Sequence, residues 1–456
     1  MTTGTKRTNV VAESERRWWR IGQNAGALAI ARVLSGLCQF LLVPVLLRTL
    51  GTETFGWAMA LVALVSLSQF ADLGVAMAFQ QDLSEAWARN ERTGIRRTYA
   101  SGVQLLAWLG AGWFILAIPL AWWGGASLLP APGHGQTNGA ALAWIVVAAT
   151  MTAGVPLSAG TRLAAALQLG WINAAWTAVA NFGTLVAVWI AANATARPVV
   201  FVALLCAGQI APGAFTALHL RRRLNWRDDV AADPMEMKRL WKIGRKFAAP
   251  NLAGALLQAT APWLFARFGG YAASAAFAVL QRLFGVVQQA QALLLGPFWP
   301  AYAEAEARSE IAWVRRSFRW SVALTLAMVA GLAGATALLP EIIRLWLGAG
   351  ASAPAPLFSW FVAIWISAGM VAQAWSYLLL GLGRLHRIAL QVAAVHATTI
   401  SAMAVAGRFT GSTGVAAMLA AGGALGLLPL SIRAGREALR EISRKESTPD
   451  AVSVRL

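Results

Sequence analysis

Apolar windows separated by clusters of charge divide the 456 residues into about twelve stretches of membrane-crossing length. They fall at 24–47, 56–79, 99–123, 140–160, 173–194, 198–220, 248–268, 271–298, 318–339, 355–380, 388–407 and 413–432. The connections are short, and the longest, 221–247, leaves no room for a soluble domain outside the membrane. The pattern predicts an all-α polytopic membrane protein.

Composition agrees. Hydrophobic residues make up 58% of the chain and charged residues 12%, about half the roughly 25% of an ordinary soluble protein. A soluble multidomain enzyme is excluded on that ground. Cys38 and Cys206 both lie inside apolar runs, so no disulfide framework is expected. Residues 1–20 are polar and basic, and the first apolar run follows without a small-residue cleavage site, which predicts a retained first span.

The formal net charge is +19, and its distribution matters more than its size. If the spans alternate, 31 of the 38 Lys and Arg residues fall on the side that holds both termini. Five fall on the other side (Arg48, Arg197, Arg267, Arg344 and Arg408), and Arg32 and Arg282 lie within spans. Basic residues concentrate on the cytoplasmic side of membrane proteins, so both termini are expected there. The charge then needs no nucleic acid partner, although anionic headgroups would attract it.

Sliding the sequence against itself by 219 residues aligns Arg48 with Arg267 and Gly51 with Gly270 without a gap. Glu-Ala-x-Ala-Arg-x-Glu at 85–91 falls on the same pattern at 304–310, and 15 of the 59 positions in 39–97 are identical to their partners in 258–316. Six spans precede the second copy, so the repeat is parallel, with an axis along the membrane normal. The predicted organisation is a cytoplasmic segment 1–23, a six-helix lobe 24–222, a basic linker 223–247, a second six-helix lobe 248–432 and a cytoplasmic tail 433–456.

At this point the chain resembles a known family. Leu46-Leu47-Arg48-Thr49-Leu50-Gly51-Thr52-Glu53-Thr54-Phe55-Gly56 looks like the "R-x-LG-x-x-x-(F/Y)-G" turn of bacterial oligosaccharide flippases of the Wzx type, which carry O-antigen and exopolysaccharide repeat units. Asp72-Leu73-Gly74, Leu167-Gln168-Leu169-Gly170, Leu345-Trp346-Leu347-Gly348 and Leu380-Gly381-Leu382-Gly383-Arg384 are similar to later landmarks. Leu169 departs from the family, which more often has Gly after Gln. The resemblance implies a MATE-like fold within the superfamily of multidrug, oligosaccharidyl-lipid and polysaccharide exporters. Twelve spans, rather than the fourteen usual in lipid-II flippases, favour the lipid-linked oligosaccharide branch.

Polar residues inside the spans supply the candidate chemistry, because a charge at mid-bilayer costs roughly 2.5–3.5 kcal/mol on insertion scales. Arg32 lies well inside the first span, and Gln39 is seven residues further on, two turns along the same helix face. The offset carries Arg32 to Asn251 and Gln39 to Gln258, so the seventh span repeats the polar stripe, and spans one and seven are expected to face each other across the pseudo-axis. Span eight adds Gln281, Arg282, Gln288 and Gln289, while Asp72 in span two is a candidate coupling group or ion-pair partner of Arg32.

Two guanidinium groups and many amides suit an anionic ligand rich in hydroxyls, since Arg binds phosphate through paired hydrogen bonds and amides donate to and accept from sugar hydroxyls. The expected activity is flipping of undecaprenyl-pyrophosphate-linked oligosaccharide repeat units across the bacterial inner membrane by alternating access. Expected partners are the lipid-linked substrate, membrane lipids, and a polysaccharide polymerase with its chain-length regulator. No cofactor or metal is implied, and the absence of a phosphate loop, zinc spacing or nucleophile elbow argues against an enzyme. The competing reading is a multidrug or organic-cation antiporter of the same superfamily, which would want carboxylates in its spans, where this chain has Asp72 against Arg32 and Arg282.

Overall fold

The computed structural model describes residues 4–69, 72–89, 91–119, 137–194, 197–224, 226, 230–348 and 350–447, and among these the regular elements are all helical. The helices are α1 Gly4–Val65, α2 Val75–Ala88, α3 Arg92–Pro119, α4 Thr137–Ala166, α5 Gly170–Ala194, α6 Pro198–Arg223 and α7 Pro234–Leu295. They continue as α8 Phe298–Ala307, α9 Ile311–Ala337, α10 Leu339–Leu347, α11 Pro356–Gly381, α12 Ala389–Ala421 and α13 Leu428–Ser447. Helices are what a lipid solvent allows, since each pass must satisfy its own backbone hydrogen bonds.

Eight described segments are long and apolar enough to cross a bilayer. Three of them break at Gly51, Gly270 and Gly411 into two passes each, and α3 adds one more, which brings the passes to twelve. This is a multi-pass membrane protein with the predicted number of spans.

The internal repeat is written in the backbone as well as the sequence. Gly51 has φ 71°, ψ 168°, and Gly270, 219 residues later, has φ 75°, ψ 172°. A positive φ here favours glycine, which has no Cβ to clash, and each glycine breaks a 62-residue helix in two. After 97 and 316 the offset shortens to 215. Leu167, Gln168 and Leu169 donate to the carbonyls of Leu163, Ala165 and Ala164, and Leu382, Gly383 and Arg384 repeat that pattern on Leu378, Leu380 and Leu379. The bonds are those of a helix C-terminal cap, with left-handed Gln168 and Gly383 in matching places.

The halves differ in the second pass. Sequence periodicity expects an unbroken span over 56–79, but the helix tightens to a 3₁₀ turn at Ser66–Gln69, and Asp72–Gly74 form a turn with positive φ at Leu73 and Gly74 before α2 begins. The Asp72 side chain accepts the Gly74 N–H at 2.8 Å, a local bond that competes with helix continuation. The matching pass of the second half runs intact to Leu295.

The chain forms two compact units. The first takes in 1–45, 64–130 and 135–248, and its core holds Phe79, Leu83, Leu106, Val155, Leu163, Ile172 and Leu220. Within it α4 and α6 meet at backbone distance, since a Cβ on Gly160 would lie 2.2 Å from the Gly213 carbonyl oxygen. Small residues at such seams permit the close van der Waals packing that holds helices together in lipid. At one end of this unit Arg239 pairs with Asp82 at 2.7 Å and with Glu236 at 3.0 Å, and the Thr98 hydroxyl donates to Glu236. Burial pushes the Asp82 carboxyl above its ordinary range, with the Arg239 charge pulling the other way.

The second unit takes in 46–63, 131–134 and 249–456. Phe265 stacks on Phe277 at 4.7 Å and meets Phe358 at 5.2 Å, and a further cluster gathers Tyr302, Phe318, Trp375, Leu378 and Ile442. Ser274 donates to the carbonyl of Gly56, which ties 46–63 to this unit.

Candidate functional site

In the first unit, α1 divides into three faces. Ala31, Ser35, Cys38 and Leu42 are buried, whereas Ile30, Leu34, Leu37 and Leu41 form an exposed apolar stripe. At about 100° per residue, Arg32 and Gln39 lie roughly opposite that stripe. Arg32 is exposed and Gln39 half-buried. The guanidinium therefore occupies a different face from the residues suited to lipid. Gln39 donates to the Oδ1 of Asn181 on α5 at 3.4 Å.

Asn181 is a residue that the sequence reading missed. Asn173, Thr177, Asn181 and Thr184 follow one another at helical spacing along α5, a stripe of the kind used to find Arg32 and Gln39. Thr177 and Thr184 spend their hydroxyl protons on their own helix, and Thr216 bonds to Asn173.

Asp72 is 5% exposed. Its ion-pair partner is Arg162 of α4 at 3.9 Å, where the sequence offers Arg32 as one candidate. The same guanidinium reaches Gln80 at 3.5 Å. The physical reason is the broken helix: the turn at Asp72–Gly74 aims the carboxylate at its own backbone and at α4.

In the second unit the reversal at Gly270 brings Gln258 and Gln281 together, and Gln281 Nε2 donates to Gln258 Oε1 at 3.4 Å. Arg282 follows on the same helix, half-buried, with Gln289 seven residues on and exposed; Gln288 is half-buried. The side chain of Asn251 lies outside the described residues.

Gln291 is fully buried, and its amide donates to the Met370 carbonyl at 2.8 Å and the Thr325 hydroxyl at 3.0 Å. By the 219 offset it stands where Asp72 stands in the first half, so the two equivalent positions both hold buried polar anchors. His396 of α12, half-buried, has an Nδ1 without a hydrogen-bond partner among the described residues, and a Cβ on Gly254 would lie 3.6 Å from its ring. The 215 offset makes His396 the counterpart of Asn181. The amide on the first pass and the polar residue on the fifth thus recur as Gln258 and His396.

Within each unit, then, a first-pass amide, Gln39 or Gln258, shares a helix with a guanidinium, Arg32 or Arg282, and the first-half carboxylate is engaged by a nearby arginine. This chemistry can hold an anion and hydrogen-bond many hydroxyls. It offers a cation little, because a guanidinium repels it across a low dielectric.

A family model described as polysaccharide biosynthesis protein matches residues 21–305. No curated protein matches the chain. Among solved structures, an inward-facing multidrug resistance transporter of the MATE family and MOP superfamily superposes with TM-score 0.70 at 13% identity, over 92% of this chain and 96% of its own. A mutant of the Vibrio cholerae MATE transporter VcmN gives 0.56 at 15% identity, covering 92% and 98% of the two chains. A MOP-superfamily transporter from Pyrococcus furiosus, described as having a binding pocket of reverse polarity that suggests a different function, gives 0.58 at 12% identity, covering 92% and 96%. At such identities the likeness is one of fold.

Proposed function

Because the chain belongs to the polysaccharide biosynthesis protein family and has the fold of MOP-superfamily exporters, we propose that it flips undecaprenyl-pyrophosphate-linked oligosaccharide repeat units across the bacterial inner membrane. Family and fold are those of membrane transporters, and the polar residues of the spans support an anionic, hydroxyl-rich substrate. The observation that carries the reading is the fate of intramembrane charge. Asp72 is tied to Arg162 and the Gly74 N–H, while Arg32 is exposed on the non-apolar face of α1. A cation antiporter needs the reverse, a free carboxylate and no free guanidinium.

In this reading Arg32 and Arg282 take the pyrophosphate, and Gln39, Asn251, Gln258, Gln281, Gln288 and Gln289 meet sugar hydroxyls. The prenyl tail stays in lipid throughout. Alternating access then means that the polar path opens first to the cytoplasm, where both termini lie, and then to the outer face. Glycosyl-chain polymerase and chain-length regulator would receive the product there. The reverse polarity described for the Pyrococcus furiosus transporter is the sort of change this reading implies relative to multidrug carriers.

The test is complementation of a flippase-deficient strain. Arg32→Ala is expected to abolish surface polysaccharide at normal membrane abundance, and Arg32→Lys to retain part of it. Wild-type polysaccharide in the Arg32→Ala strain would overturn the assignment, as would drug efflux by the wild-type protein with no complementation.

A further inference from the structure

The duplicated fold carries one cleft twice. In the first unit a cleft of about 450 Å³ is lined by Trp176, Phe215, Leu218, His219 and Arg222 with Arg223. Adding 215 to the first five gives Gln391, Leu430, Arg433, Ala434 and Glu437, and these line a cleft of about 180 Å³ in the second unit. The offset is the one that relates the paired turns at Leu167–Leu169 and Leu382–Arg384. The same structural place has thus been furnished in two ways.

The difference is charge. Leu169, Ile172 and Leu218 of the first unit correspond to Arg384, Arg387 and Arg433 of the second, all three of which line its cleft. Three carboxylates hold these arginines in place. Arg384 Nη2 lies 3.2 Å from Glu306 and its Nε 3.1 Å from Glu441; Arg387 also bonds to Glu441 at 2.8 Å, and Arg433 to Glu437 at 3.0 Å. Arg384 is only 7% exposed, and its buried Nη1 has no hydrogen-bond partner among the described residues. A buried donor left unmade costs about 1–3 kcal/mol, more when charged, so the position calls for an acceptor. The cleft also sits at the amino end of α12, a 33-residue helix entered through the 3₁₀ turn Leu385–Ile388. Unpaired N–H groups and the helix dipole favour an anion at such an end.

We propose that this cleft binds a phosphate group, with Arg384 Nη1 as its innermost donor and Arg387 and Arg433 at its mouth. The distribution of basic residues puts it at the inner surface of the membrane, where the headgroups of anionic phospholipids present phosphate continuously. The glutamates fix the guanidinium geometry, and each arginine keeps N–H groups for the ligand. Transport plays no part in this inference, so binding can be measured whether or not the flippase reading holds.

The test uses full-length protein purified in detergent, with thermal midpoint as readout. Added phosphatidylglycerol is expected to raise the midpoint at physiological salt, and phosphatidylcholine, whose phosphate is offset by choline, to do so less. Inorganic phosphate identifies the source: if it competes with phosphatidylglycerol, the phosphate group itself is recognised, and if it stabilises as well as the lipid does, free anion is the ligand. Arg387→Leu with Arg433→Leu, which copies the apolar character of the first unit's cleft, should weaken the response at least tenfold. Arg222→Gln with Arg223→Gln should leave it intact. Arg384→Gln should abolish it; where that variant does not accumulate, the double variant decides. Equal response to both lipids with no response to inorganic phosphate, or full response in the double leucine variant, overturns the proposal.

Discussion

Gly213 shows how little tolerance a helix seam in lipid allows. A Cβ there would lie 2.4 Å from the Leu157 carbonyl oxygen, so a side chain must push α4 and α6 apart along their contact. Gly213→Val is expected to destabilise the first unit by about 1–3 kcal/mol or more through overpacking, measurable as a lowered thermal midpoint and reduced membrane abundance. Polar contacts at this scale were partly legible. The stripe from Asn173 to Thr184 has the same spacing as the stripe from Arg32 to Gln39, so Asn181 could have been found as the partner of Gln39. The partner of Asp72 could not. Arg162 is 90 residues away, and only the turn at Asp72–Gly74 directs the carboxylate toward it.

Among elements, the breaks at Gly51 and Gly270 were readable because their neighbourhoods still match in sequence, and the φ angles of 71° and 75° give those identities a mechanical reason. The break after Val65 was hidden, since Leu73, Val75 and Ala76 continue the apolar pattern and hydropathy cannot see a single carboxylate bonding to its own backbone. The start of α7 offers a test by pH. Burial raises the Asp82 carboxyl above its usual 3.8, so the folded protein holds that proton more tightly than the unfolded chain. Stability must then fall as pH rises through the interval between the ordinary and the raised value. As pH rises above the ordinary carboxylate value, the wild type should lose stability relative to Asp82→Asn, followed by denaturant midpoint at each pH. A difference that stays constant, or widens in the wild type's favour, contradicts the role given to burial.

For the whole molecule, hydropathy and charge were enough to give twelve passes, since both derive from the cost of putting polar groups in lipid. Orientation rests on the 31-to-5 division of basic residues between the two sides and is open to labelling. Lys242→Cys and Arg436→Cys, both at exposed positions, should react with an impermeant maleimide only after the membrane is opened, and Arg344→Cys should react in intact cells. Background is low because Cys38 and Cys206 are buried. What could not be read was the asymmetry between the copies, because a duplication preserves pattern while single residues retune it.

That asymmetry has a mechanical side. Gly244, in the opening turns of α7, presses against the backbone at Gly74–Val75, where a Cβ would stand 2.7 Å from Val75. The strap that follows the sixth pass therefore rests on a joint where the first copy has given up helical stiffness. A side chain at 244 would press on that joint, whereas the matching pass of the second copy runs on as helix to Leu295.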